Sequence, residues 1–167
     1  MRVALDLEEV LADTIREACN STDNLAHSDF DTWDIKPGYT WQVYAGVSDA
    51  LWRHDPLSIP AVEHGLSEYT DSLQKSVEEL DIVTARLHVD EQIARWLNHH
   101  DISYDRLIST NRPKYELEYD AYIDDNPDMF GKCRLFLRDH LHNEHLDCAK
   151  NNDANRIYSL GEVEELL

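Results

Sequence analysis

Five short apolar runs, each ending at or just before a polar or acidic residue, alternate with longer amphipathic stretches. That alternation restricts the chain to few folds. The runs are residues 2–7 (RVALDL), 80–84 (LDIVT), 104–109 (YDRLIS), 120–123 (DAYI) and 134–137 (RLFL). Between them the apolar spacing turns helical: Leu66, Tyr69, Leu73 and Val77 follow Val62 at intervals of three or four, and Ile93, Trp96 and Leu97 repeat the pattern over 91–99. The closing GEVEELL reads as a short acidic helix. Strands alternating with helices predict βαβ units, hence an α/β fold with a three-layer, Rossmann-like, mostly parallel sheet.

One interval breaks the rhythm. About 70 residues separate the first strand from the second, far beyond an ordinary crossover. The start of this interval is rich in Trp, Tyr, Asp and turn residues such as Gly38, Gly46 and Pro56. The predicted organisation is therefore a core domain of residues 1–14 and 78–167, with a small helical cap inserted at 15–77. Trp33, Trp41, Tyr44 and Trp52 are expected mostly to form the insert's own core. One or two of them, with Arg86, would line a substrate pocket.

Composition narrows the partners. The 167 residues carry 34 Asp and Glu against 15 Lys and Arg, a formal charge of -19. Such a surface opposes binding to long nucleic acids or anionic membranes. Hydrophobic residues at 42%, in structured spacing, oppose disorder as the reason for the charge. With 20 Asp and only 5 Lys, the acid coat matches a protein from a very salty cytoplasm, where ions screen self-repulsion. Three scattered Cys form no disulfide or zinc pattern, and no leader or membrane-length apolar run is evident, so a cytoplasmic location is expected. A homodimer is allowed.

The strand ends carry the chemistry. Asp6 and Glu8 follow the first strand, Thr84 ends the second, Lys114 comes after the third, and Asp124 and Asp125 follow the fourth. A parallel sheet gathers all of them at one rim, where ligands bind. Carboxylates from two strands make an oxygen site suited to Mg²⁺, while a hydroxyl and an ammonium can bind phosphate oxygens. One carboxylate is then available to attack phosphorus. Taken alone, the Asp6/Glu8 pair would read as a solvated strand end; its alignment with the other three strand ends gives it meaning.

These residues also resemble known motifs. VALDLEEVLADT is similar to the first motif of the haloacid dehalogenase (HAD) superfamily, and IVTAR to the second. Lys114 and YIDDNPD stand as the third and fourth. Together with the downstream HLHN and RIYSLGEVEEL segments, the chain looks most like the cytosolic-type 5′(3′)-deoxyribonucleotidases. The resemblance implies a Mg²⁺-dependent phosphomonoesterase acting on a small phosphorylated substrate through an aspartyl-phosphate. By it Asp6 is the nucleophile and a metal ligand. Position 8 gives a backbone carbonyl to the metal and a side-chain general acid/base. Thr84 and Lys114 hold the phosphoryl group, and Asp124 and Asp125 complete the metal site.

Two residues depart from the pattern: Glu8 stands for the second Asp and Glu9 for a Gly. The longer acid should disturb turnover more than metal binding, and Glu resists a backbone turn that Gly accepts. Two alternatives therefore stay open: a catalytically impaired binding or regulatory relative, and a phosphatase of a non-nucleotide small phosphate. His140, His142, His145 and Cys148 have the composition of a metal cluster without its spacing, and a solvated loop is expected there.

Overall fold

The computed structural model describes residues 1–33, 38–150 and 153–167. Six strands form one sheet: β1 (Arg2–Leu5), β2 (Glu79–Thr84), β3 (Arg106–Ser109), β4 (Ala121–Asp124), β5 (Leu135–Arg138) and β6 (Ala154–Ile157). Their order is β3-β2-β1-β4-β5-β6, and every neighbouring pair is parallel. The chain first builds outward from β1 through β2 to β3, then returns to the other side of β1 for β4 to β6. The direction of winding thus reverses between β1 and β4, where an open α/β sheet offers its crevice.

Burial explains the apolar runs. The sheet is covered on both faces, so inner strands need apolar residues at successive positions rather than at alternate ones. Val3, Leu5, Leu80, Ile82, Ile123, Phe136 and Ile157 face one apolar cluster. Ala4, Val83, Tyr122, Leu135 and Leu137 face the other. The first cluster is closed by α3 (Leu66–Ser76), α4 (Asp90–His99) and α5 (Val163–Leu166), through Leu66, Leu73, Ile93, Trp96, Leu97 and Val163. Over the second face lie short 3₁₀ turns at Lys114–Leu117, Pro127–Met129 and Cys148–Lys150, contributing Tyr115, Leu117, Met129 and Cys148.

The insert is smaller than the spacing implied. Helices α1 (Thr14–Ser21) and α2 (Tyr39–His54) share a third cluster of Ile15, Ala18, Leu25 and Phe30, packed by Val43, Tyr44, Val47 and Leu51. Helix α3, by contrast, lays Leu66 and Leu73 into the main cluster. The expected boundary at residue 77 therefore lies too late, because residues 66–76 form the crossover helix leading into β2. Trp52 is also corrected: at the end of α2 it is fully buried, edge-on to Trp96 at 6.3 Å between centroids, and belongs to the sheet's cluster rather than to a pocket wall. No helix among the described residues is long and apolar enough to cross a membrane.

Candidate active site

Strand β1 stops at Leu5, two residues before the apolar run ends, because the chain folds into tight turns. Leu11 and Ala12 both donate to the Leu7 carbonyl, and Glu9 donates to that of Ala12 at 2.8 Å. Before the turn, the Asp6 N–H still donates to the Ile123 carbonyl at 2.9 Å. Asp6 is thereby fixed to the end of β4, beside Asp124 and Asp125. Carboxylate oxygens of these three residues lie within 4.8 Å of one another, all buried.

Three acids so close need a cation. Lys114 supplies one: its Nζ is 2.6 Å from Asp6 Oδ2 and 2.8 Å from Asp124 Oδ2. Burial pushes the Asp6 carboxyl well above the usual range against the pull of Lys114, and the neighbouring Asp124 and Asp125 add to the rise. Asp124 is raised too, first by burial. Burial alone would lower Lys114, but the Asp124 and Asp6 carboxylates outweigh it and the ammonium is raised. A set of three buried carboxylates carrying one ammonium is a hard-oxygen donor set with surplus negative charge, which fits Mg²⁺.

A cavity of about 520 Å³ opens over this rim. Asp6, Thr84, Lys114, Asp124 and Asp125 form its floor, and Ile15, Phe30, Trp33, Trp41 and Tyr44 give it an apolar wall from the insert. Thr84 is buried at the end of β2, where its Oγ1 accepts the Arg86 N–H at 3.1 Å. The fold places Asp6, Thr84, Lys114, Asp124 and Asp125 at one rim of the sheet, around the same cavity. Of the aromatic candidates, Trp33, Trp41 and Tyr44 reach the cavity. Trp52 does not; its side chain is fully buried in the sheet's apolar cluster.

Glu8 and Arg86 also line the cavity, paired to each other. Arg86 Nη2 lies 2.6 Å from Glu8 Oε1 and its Nε 3.2 Å from Oε2, a two-point contact. The Trp52 indole N–H donates to the same Oε1 at 3.2 Å. The longer acid has therefore found partners of its own. Its carboxylate joins the β1 loop, the β2 loop and α2.

Glu9 sits where a glycine is easier. Its φ is 61°, left-handed, a strain of about 1 kcal/mol for a residue with a Cβ. The side chain turns inward, 5% exposed, and accepts the Ile15 N–H at 2.9 Å. Burial pushes its carboxyl up to about 7, partly offset by His140.

His140 and His142 were expected in a solvated loop, and the structure corrects this. His142 is 4% exposed, stacks at a tilt on Trp33 at 5.1 Å and lines the cavity. Asn143 is fully buried and pins the loop by donating to the Asp125 and Arg138 carbonyls, each at 2.9 Å. Only His145 stays exposed, and Cys148 packs under the sheet. No local pattern announces these contacts; the alternation of histidines with apolar Leu141 was the one available hint.

No protein-family model and no curated protein matches the chain. Solved structures do. A HAD-superfamily hydrolase of subfamily IA, variant 1, from Geobacter sulfurreducens aligns over 99% of this chain and 95% of its own, at 14% identity and TM-score 0.58. A dehalogenase with an intermediate complex aligns over 99% and 96%, at 13% identity and TM-score 0.59. A further dehalogenase structure aligns at 12% identity and TM-score 0.57, over 99% and 96%. At these identities the likeness is one of fold, and the fold is HAD-like.

Proposed function

We propose that the chain is a Mg²⁺-dependent phosphomonoesterase of small phosphorylated metabolites, with 5′-(deoxy)nucleotides as its substrate class. The observation that carries this reading is the convergence of Asp6, Asp124 and Asp125 on Lys114 at the β1–β4 crevice. When bound there, Mg²⁺ would be held by the three carboxylates and the Glu8 backbone carbonyl, and would neutralise charge on the transferring phosphoryl group. Asp6 is the nucleophile on phosphorus, forming an aspartyl-phosphate that water then hydrolyses. Lys114 and the Thr84 hydroxyl bind the phosphoryl oxygens. Glu8 is the residue closest in sequence to serve as acid to the leaving oxygen and base to water. The apolar wall of Phe30, Trp33, Trp41 and Tyr44 offers a π-face to a base.

A cytoplasmic, salt-adapted setting for this activity accords with the acid coat, so the assay belongs in molar KCl. Phosphate release from a panel of nucleoside and sugar monophosphates, with and without Mg²⁺, is expected to be metal-dependent and fastest with nucleotides. Asp6→Asn should remove it, by about 10³-fold or more for loss of a covalent nucleophile. An unchanged rate in that variant refutes the mechanism.

The Glu8–Arg86 pair favours a second reading. A carboxylate with both oxygens committed to Arg86 and Trp52 suits a protein that binds its ligand without turning it over. Calorimetric binding of a nucleotide with no phosphate release over hours would support it, and ordinary turnover excludes it.

A further inference from the structure

Glu9, His140, His142 and Asp125 stand in a line. Glu9 Oε2, buried and without a hydrogen-bond partner among the described residues, lies 3.0 Å from His140 Nε2. His140 Nδ1 is 3.0 Å from His142 Nδ1. His142 Nε2 in turn lies 3.1 Å from Asp125 Oδ2 and 3.2 Å from the Asp125 carbonyl oxygen. Each of the three contacts takes one proton. The contacts are filled with one proton shared between Glu9 and His140 Nε2, one on His140 Nδ1, and one on His142 Nε2 directed at the Asp125 carbonyl and carboxylate.

The row is built firmly. The His140 N–H donates to Asn143 Oδ1 at 3.1 Å, and Arg156 holds the same oxygen at 3.0 Å and the Asn143 carbonyl at 2.8 Å. At the far end Glu9 is tied to the start of α1 through Ile15. Its left-handed backbone is the informative outlier. A glycine would relieve the strain, but only a side chain reaches His140. Strain retained at such a point directs attention to what the side chain does.

We propose that Glu9, His140 and His142 are positioning residues of the cation site, holding the Asp125 carboxylate in the orientation that closes the oxygen triad with Asp6 and Asp124. This rests on the reading of that triad as a Mg²⁺ site. An aspartate carboxylate free to rotate presents its oxygens in many directions, and a buried imidazole fixed by its hydrogen bond to the Asp125 carbonyl, with Nε2 3.1 Å from Oδ2, restricts that choice. The departure from glycine at position 9 then has a purpose: its carboxylate anchors the outer histidine, which orients the inner one.

The test is a calorimetric titration of the full chain with MgCl₂ and with MnCl₂ in molar KCl, alongside melting curves without metal. His142→Ala and Glu9→Gly are each expected to weaken cation binding by roughly 10-fold to 100-fold. His142→Gln keeps an N–H at the end of the side chain and should recover part of the loss, which a general structural defect would not allow. Glu9→Gln, nearly isosteric but uncharged, takes the place of any variant that fails to fold and should also weaken binding. Unchanged affinity in these variants, whatever their melting temperatures, overturns the proposal, as does a loss that His142→Gln leaves wholly unrepaired. Wild-type protein that binds neither cation overturns instead the triad reading on which it rests.

Discussion

Glu8→Asp separates the two jobs that the acid at position 8 is asked to do. Removing one methylene withdraws the carboxylate by about 1.5 Å. Contacts of 2.6 and 3.2 Å to Arg86 and 3.2 Å to Trp52 cannot all survive that retreat. The ion pair is partly buried, with side chains 15% and 23% exposed. Its loss should fall between the ~0–1 kcal/mol of surface pairs and the ~3–5 kcal/mol of broken buried ones, at about 2 kcal/mol. For a chain of this size that lowers the melting temperature by roughly 4–8 °C.

The rate should move the other way. A shorter acid, released from Arg86, returns to the position usual for a proton donor to the leaving oxygen. Misplacement of about 1 Å can cost on the order of 100-fold. The gain is expected for alkyl phosphates, whose leaving oxygen needs a proton, and should be small for aryl phosphates, which leave readily without one. Paired kcat measurements on one substrate of each kind, with thermal melts, read both effects. A fall in kcat for both substrates at unchanged melting temperature would refute the reasoning, since it would mean that Glu8 is already where the chemistry needs it.

Lys114→Met leaves Asp6 and Asp124 buried without their counter-charge, and should destabilise the metal-free protein by about 3–5 kcal/mol in chemical denaturation, with added Mg²⁺ recovering part. Folded Glu9 and His140 both hold protons more tightly than usual, so metal-free stability should be greatest at low pH and fall as pH rises. Glu9 contributes on the order of 3 kcal/mol between its ordinary 4.5 and its folded value of about 7, and denaturation at pH 5, 6, 7 and 8 should flatten in Glu9→Gln. Asp81, fully buried in β2, accepts two-point contact from Arg106 and a hydrogen bond from the Tyr119 hydroxyl. Asp81→Ala should destabilise by about 3 kcal/mol or more while leaving cation affinity unchanged, which calorimetry can check.

The strands and the acids at their ends were legible because their causes are local. A strand covered on both faces needs a continuous apolar run, and the residue just beyond it necessarily stands at the rim. Strand β6 escaped notice because it is an edge: of Ala154–Ile157 only the two ends are buried, and Asn155 and Arg156 between them carry no strand signal. Trp52 was misplaced because composition marks the insert as aromatic without fixing the phase of α2, and that phase decides which tryptophan meets the cavity. The Glu9–His140 contact spans more than 130 residues, and nothing near either residue reports it. The departure at Glu9 was visible; its partner was not.

Charge gives the site a further requirement. Within the rim, Glu8 is matched by Arg86 and Glu9 by His140. Among the described residues, Asp6, Asp124 and Asp125 share the ammonium of Lys114, with the His142 imidazole beside Asp125. The floor thus remains net negative, although most of the chain's charge of -19 is spread over a solvated coat. Two unit charges about 4 Å apart interact by roughly 4 kcal/mol at an effective dielectric near 20. A phosphate dianion arriving alone would meet repulsion of that order from the carboxylates, which the hydroxyl of Thr84 cannot offset. A divalent cation at the triad reverses the balance. On the proposed reading, the acids of the floor, distinct from those of the coat, would admit a small phosphate only together with its metal.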